Sequence, residues 1–352
     1  METKVLIGVD PHKATNAVAA LDEHGELLER TEFPADRKGL RALERWVANF
    51  PRRKWAIEGA NGLGRTLAHR LASAGEEVVD VPPKLAARVR VLSIGHGRKN
   101  DELDATFAAL AAWRNGRLAR VRPDDGIDAI RLLSERREDL VCERTRVLNR
   151  LHGLLRDLVP GGVPGMLSAN RAARILRRVR PRHNYSRSAA EAVRRQLASD
   201  LLRDVRSLNK RISELDVRIR EEVEASATSL TEVFGVGPIL AAKIIGLVGD
   251  VSRFPGKGHF ASYAGVAPVE VSSGEVTRHR LSLAGNRRLN HALHMIALNQ
   301  VRYKGEGGFY YRKKIAEGKT HREAMRCLKR RVCDAVFKRL RADFEQKMPM
   351  AI

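Results

Sequence analysis

The chain has 352 residues, 43% of them hydrophobic, which suffices for two or three globular domains with their own cores and excludes a disordered chain. Lys and Arg number 65 against 42 Asp and Glu, a net charge of +23. That excess argues against an enzyme of small metabolites and for a polyanion partner, because each phosphate neutralised releases condensed counterions.

No signal peptide is read at the start, and no apolar run reaches the roughly 18 residues of a membrane span, so nucleic acid is the expected partner and a membrane is not. Cys142, Cys327 and Cys333 lack paired metal-ligand spacing. Neither disulfides nor zinc are expected, and a reducing cytoplasm fits.

The first 90 residues alternate strands and helices. Lys4 to Asp10, Asn16 to Leu21 and Glu26 to Phe33 predict a three-strand meander, with Asp22 to Gly25 as a turn. Arg41 to Phe50 has helical periodicity. Lys54 to Ile57 reads as a strand, Gly64 to Ala74 as a helix, and Val78 to Val81 as a strand ending at Pro82-Pro83. Asp101 to Trp113 is a helix rich in Ala and Leu. Three strands followed by alternating helices and strands is the element order of an α/β ribonuclease-H-like fold, an inference by pattern.

The middle of the chain changes character. Ile130, Leu133, Leu140, Val147, Leu151, Leu154 and Leu158 fall on a heptad grid whose other core slots are Arg137 and Arg144. A second grid runs through Leu197, Leu201, Val205, Leu208, Ile212, Leu215 and Ile219. Spacings of three and four place an apolar seam on each of two long helices, either a coiled-coil arm or part of a helical bundle. Between them lie the Gly/Pro-rich break from Pro160 to Gly165 and a basic segment from Arg171 to Arg182.

In the last third, Phe234-Gly235-Val236-Gly237-Pro238 separates two helical patterns, the second opening on Ala241-Ala242-Lys243. The pattern resembles a helix-hairpin-helix, whose turn glycines expose N–H groups to a phosphate. A Gly- and Ser-rich stretch runs from Ala261 to Gly274. A basic helix follows from Gly285 through Arg287 and Arg288 to Ala297, and a C-terminal helix covers about Arg322 to Phe344. The expected division is 1–125, 126–226 and 227–352. The tail after Leu298, with Tyr303, Gly307-Gly308 and Tyr310-Tyr311, receives no assignment.

The carboxylates carry the first chemical reading. Asp10 ends the first strand and Glu58 the later one. If those strands are neighbours, both acids emerge at one sheet edge. Asp101 and Asp104, three apart, share a helix face. Four gathered carboxylates repel unless cations bridge them, and Mg²⁺ suits all-oxygen ligation and phosphoryl transfer. The second reading is a serine. Ser272-Ser273-Gly274 stands near Arg278, His279, Arg280, Arg287 and Arg288, cations that would stabilise charge developing as a hydroxyl attacks a phosphodiester. From chemistry alone the same tripeptide is more readily ordinary turn material. His279 and His12 are open to either an acid–base or a structural role.

At these residues the sequence resembles the insertion-sequence one-hundred-and-ten family of transposases. Gly8-Val9-Asp10-Pro11-His12-Lys13, Ala56-Ile57-Glu58-Gly59, Lys99-Asn100-Asp101-Glu102-Leu103-Asp104-Ala105, Gly235-Val236-Gly237-Pro238, Ala264-Gly265-Val266-Ala267-Pro268 and Ser272-Ser273-Gly274 stand in the family's order, from Val5 to about Leu298. The resemblance implies a RuvC-like first domain with a DEDD metal site of Asp10, Glu58, Asp101 and Asp104. It implies a coiled-coil arm and a mainly α, serine-bearing transposase domain with Ser273, or failing that Ser272, as nucleophile. It further implies Mg²⁺, donor and target DNA as partners, a structured non-coding bridge RNA, a dimer or tetramer, and a cytoplasmic, nucleoid-associated site of action. Gly235, Gly237, Lys243, Arg278, Arg280, Arg287 and Arg288 are the expected nucleic-acid contacts. The competing readings are a Holliday-junction-type metal-dependent nuclease using water, a non-catalytic nucleic-acid-binding protein, and a tyrosine recombinase acting through Tyr263.

Overall fold

The computed structural model describes residues 4–94, 101–115, 118–122, 126–179, 189–273, 276–281, 285–303 and 305–347, with side chains omitted at 93, 94, 101, 102, 269–273 and 276–281. The chain divides into two compact units: Met1–Asp125 with Ser252–Pro255, and Gly126–Val251 with Gly256–Ile352.

The first unit is built on a mixed sheet. Strands β1 (Val5–Pro11), β2 (Thr15–Leu21) and β3 (Leu27–Pro34) form the expected antiparallel meander. Helix α1 (Arg37–Val47), strand β4 (Arg53–Glu58), helix α2 (Arg65–Ser73) and strand β5 (Val78–Val81) follow, giving the order β3-β2-β1-β4-β5. With β4 and β5 parallel to β1, this is the ribonuclease-H-like, RuvC-like arrangement. Helix α1 begins four residues before the sequence pattern starts, because the Asp36 carboxylate accepts the Gly39 N–H at 2.7 Å and caps it. Pro82-Pro83 does not only end β5: Pro83 is the first residue of a further helix, α3 (Pro83–Ile94), a position that suits a residue without an N–H.

The sheet is buried on both faces. Val5, Ile7, Val9, Trp55 and Ile57 pack against α1 and α2, whereas Leu6, Ala56, Val79 and Val81 pack with α3 and with helix α4 (Asp101–Arg114). Helix α4 contributes small residues, Ala105, Ala109 and Ala112, and so approaches closely. The approach is closest at Gly8, where a Cβ would lie 2.1 Å from the Ala105 carbonyl oxygen and 2.8 Å from the Ala109 Cβ. The backbone itself offers no relief there. Gly8→Ala is therefore expected to destabilise the first unit by roughly 1–3 kcal/mol, the cost of overpacking, read as a lowered melting temperature.

The second unit is mainly helical. Helices α5 (Ile127–Leu158) and α7 (Ala189–Ala225) run antiparallel, with the short helix α6 (Ala169–Arg178) between them in sequence. Arg137 ion-pairs with Asp216 and Arg144 donates to Asn209 at 3.4 Å, so the two arginines on the heptad grid are met by polar partners rather than by apolar ones. Leu140, Leu208, Ile212 and Leu215 form one apolar layer, and Leu151, Leu155, Leu158, Ala198, Leu202 and Val205 another. At the start of α7 the expected grid slips: Leu197 is exposed, and Ala198 and Leu202 are buried in its place against α6. Arg180 and Arg182 of the basic segment lie outside the described residues.

The chain continues through a 3₁₀ turn (Ser229–Glu232) and helices α8 (Pro238–Val248) and α9 (Lys257–Tyr263). The element before the Phe234–Pro238 turn is thus a single 3₁₀ turn, held by the Asp343 carboxylate through Thr228 Oγ1 at 2.7 Å. Within the Gly- and Ser-rich stretch lies a strand, β6 (Pro268–Ser273), paired with β7 (Val276–Leu281) as an antiparallel hairpin. Helices α10 (Arg287–Arg302), α11 (Glu306–Ala316) and α12 (His321–Lys347) complete the unit, α12 burying Leu328, Val332 and Val336 and placing Phe337 5.3 Å from Phe260.

Candidate active site and nucleic-acid interface

The carboxylates are placed by sheet parity and by the Gly8 contact. On β1, Leu6, Gly8 and Asp10 share the α4 face; on β4, Lys54, Ala56 and Glu58 do, because side chains alternate along a strand. Val9 is in register with Ile57, so Asp10 and Glu58 are the next residues on neighbouring parallel strands. Asp104 precedes Ala105, the residue that packs on Gly8, and is 6% exposed. The first unit therefore brings Asp10, Glu58 and Asp104 to one end of one sheet face. Asp101 lies one turn earlier on α4, and its side chain, with Lys99 and Asn100, lies outside the described residues.

Two basic side chains accompany these acids. His12 Nε2 is 3.3 Å from Asp10 Oδ2, and Arg90 of α3 donates to Asp104 Oδ1 at 3.0 Å. Among the described residues, Arg90 Nε is buried with no hydrogen-bond partner. Among the described residues no three metal-capable side chains are close enough together to hold an ion. In type alone the donors suit a hard divalent cation: Asp10, Glu58 and Asp104 are all carboxylates on one sheet face, and the buried Asp104 pairs with an arginine.

The loop after Glu58 is fixed by a residue that motif reading missed. Asp80 of β5 accepts the Ala60 N–H at 2.8 Å and the Asn61 Nδ2–H at 2.7 Å, and burial pushes its carboxyl above the ordinary range. Its only sequence signal is an acid inside an apolar strand.

In the second unit, Gly235 has φ +89 and Gly237 precedes Pro238, the first residue of α8. Helix geometry leaves the first-turn N–H groups without intrahelical acceptors, and Gly237 is exposed. Lys243 faces elsewhere. It is only 15% exposed and pairs with Glu138 of α5, which Arg288 of α10 also pairs, while Arg287 is exposed. Burial alone would raise the Glu138 carboxyl, but Lys243 and Arg288 together hold it below the ordinary carboxylate range. Glu138→Ala is expected to destabilise the chain by about 2 kcal/mol, short of the ~3–5 kcal/mol of a fully buried pair. The pairing contributes at neutral pH and is lost as pH falls through the depressed Glu138 value, so melting measured against pH should show a shallower acid-side slope in this variant.

Ser273 is the last residue of β6, in register with Val276, and Ser272 pairs with Thr277. Their side chains, those of Arg278, His279 and Arg280, and Gly274 lie outside the described residues. What holds the hairpin is clear at its base. Asn290 Nδ2 donates to the Ala264 and Gly265 carbonyls at 2.9 and 3.0 Å, and Lys329 of α12 donates to Asn290 Oδ1 at 2.6 Å. Asn286 N donates to the Tyr263 carbonyl at 2.6 Å. Gly285, at φ +111, has no room for a Cβ, which would lie 2.8 Å from Gly265 N. The residues before β6 and after β7 are thus clamped together. Tyr263 belongs to the clamp: its hydroxyl donates to the Leu247 carbonyl at 2.9 Å and accepts from Asn286 Nδ2 at 3.1 Å. A tyrosine so engaged is a structural post, which disfavours it as a nucleophile.

Comparison with known proteins gives two family matches, a DEDD transposase model over residues 7–160 and a transposase model of the IS116/IS110/IS902 family over 227–312. The insertion element IS116 protein of Streptomyces clavuligerus is 29% identical, covering 96% of this chain and 95% of its own. The insertion element IS110 protein of Streptomyces coelicolor is 26% identical, covering 99% and 97%. Among solved structures, Thermus thermophilus RuvC aligns at 13% identity with 33% of this chain and 99% of its own, at a TM-score of 0.25.

Proposed function

Since the chain belongs to the IS110/IS116/IS902 family of transposases, and so is an enzyme of DNA phosphodiester transfer, we propose that it cuts and rejoins DNA through a serine–DNA covalent intermediate at Ser273, assisted by a metal-bound DEDD site. The observation that carries the reading is the convergence of Asp10, Glu58 and Asp104 on one sheet face, beside the helix that also bears Asp101. Asp10, Glu58, Asp101 and Asp104 would hold Mg²⁺, which when bound supplies electrostatic stabilisation to the phosphoryl oxygens. The chain's own residues do the rest. Arg90 offsets the charge of Asp104 before any cation binds, and His12 stands within reach to exchange a proton or hold Asp10 in place.

In this reading residues 1–125 form the DEDD domain, 126–226 the arm and 227–352 the serine domain. The turn at Gly235 and Gly237 and the arginines Arg278, Arg280, Arg287 and Arg288 contact nucleic acid, whereas Lys243 contributes through its ion pair. A bridge RNA pairs with donor and target DNA, and the protein acts as a homo-oligomer in the cytoplasm. Two measurements test this. With Mg²⁺ and a nicked element-end DNA, the protein should give an adduct that survives denaturation; cleavage by hydrolysis with no adduct would favour a water-using junction nuclease. A structured RNA from the protein's own element should bind much more tightly than an unrelated RNA of equal length at one stated salt concentration. Equal affinity, with full recombination after ribonuclease treatment, would leave a recombinase that reads DNA unaided.

A further inference from the structure

The tail beyond Leu298 carries a feature that phosphodiester transfer does not use. Tyr303 is 64% exposed, Phe309 66% and Phe234 51%. Gly305 lies close to all three residues. A Cβ there would lie 2.5 Å from the Phe234 ring, Tyr303 is two residues earlier, and the Phe309 N–H donates to the Gly305 carbonyl at 3.3 Å. Large rings left this open to water are costly unless something covers them.

The charge around them says what does. The Arg302 guanidinium lies 5.6 Å from the Tyr303 ring centre and Arg312 lies 4.7 Å from that of Phe309. From Arg302 to Arg331 the chain has eleven Lys and Arg against three Glu. Phe234 also opens the Gly235–Pro238 turn, so the rings adjoin the N-terminus of α8, where backbone N–H groups suit a phosphate. Aromatic faces interleaved with cations beside a phosphate seat match a strand whose bases are unpaired. In a duplex the base faces are already stacked and out of reach.

We propose that Phe234, Tyr303 and Phe309, flanked by Arg302 and Arg312, form a stacking platform for unpaired DNA. The strand is DNA because the family's reaction is on DNA, and strand exchange separates base pairs between cutting and rejoining. The platform would hold the displaced bases while the ends are swapped. It does not depend on which group is the nucleophile.

The test uses the full chain and an oligodeoxythymidine carrying a single 2-aminopurine, whose fluorescence falls when it stacks. Binding to the wild-type protein should quench it. Phe309→Ala and Tyr303→Ala should each bind about tenfold more weakly at one stated salt concentration and lose the quench, with affinity for the matching duplex unchanged. Tyr303→Phe and Phe309→Trp should retain both signals, which separates stacking from loss of fold. Unaltered binding in the alanine variants, or an equal loss on duplex, would overturn the proposal. A loss confined to an oligoribonucleotide would assign the surface to RNA instead, and a changed sedimentation coefficient without a binding change would assign it to self-association.

Discussion

Asp10→Asn is expected to slow DNA strand exchange about a thousandfold, the scale of removing one preorganised electrostatic group from a reacting phosphoryl centre, while the protein still melts cooperatively. The asparagine keeps the shape of the side chain and its place on β1 beside Glu58, so packing against α4 is undisturbed. What it removes is one negative charge from a face that also holds Asp104, and the fold should not suffer. Relief of carboxylate repulsion would leave the melting temperature unchanged or slightly raised. Strand exchange assayed with Mg²⁺, alongside thermal melting, separates the two effects. Wild-type rates in both Asp10→Asn and Asp104→Asn would remove the DEDD assignment.

Ser273→Ala should abolish the denaturation-resistant protein–DNA adduct. Recombination without net hydrolysis must conserve the broken bond, and a phosphodiester to the enzyme does so: the serine oxygen bonds to phosphorus as the DNA hydroxyl leaves, and the reverse transfer restores DNA. If Ser273 is the attacking group, its loss leaves no adduct at all, so the expected effect is all or none. The base of the hairpin, clamped by Asn286 and Asn290, should survive the substitution. An adduct that persists in Ser273→Ala and vanishes in Ser272→Ala would move the nucleophile by one residue. One mapped to Tyr263 would contradict the engagement of its hydroxyl with Leu247 and Asn286. Mixing Ser273→Ala with Asp10→Asn protein should restore partial activity if the two sites act between subunits.

The sheet was legible because alternation and turn residues survive translation into strands with little tertiary help: β1, β2 and β3 lie within a residue or so of where the pattern puts them. The acids near the ends of β1 and β4 were legible for the same reason, since a strand fixes the face of each residue along it. The β6–β7 hairpin was not. Its glycines and serines carry turn propensity, and the clamp that holds it joins Asn286 and Asn290, just after β7, to Tyr263, Ala264 and Gly265 before β6 and to the distant Lys329, contacts that carry no periodic signal. The ion pair of Lys243 was hidden for a related reason. A lysine beside a phosphate-binding turn looks like a phosphate ligand until Glu138, on another helix, is seen to neutralise it. Arg90 was invisible because a helix opening at Pro83 was read as the end of a strand.

The polar rungs between α5 and α7 make the pair of helices a ruler with fixed graduations. Arg137 opposite Asp216 and Arg144 opposite Asn209 repeat after seven residues on each helix, so sliding one helix by less than a heptad would set a guanidinium against leucine. Between the rungs, added length keeps this register only in whole steps, seven residues added to both helices together, each step extending the arm by about 10 Å at 1.5 Å per residue. Adding three or four residues instead would rotate everything beyond the insertion about the helix axis. Relatives whose arms reach different distances should accordingly differ by multiples of seven in both helices at once.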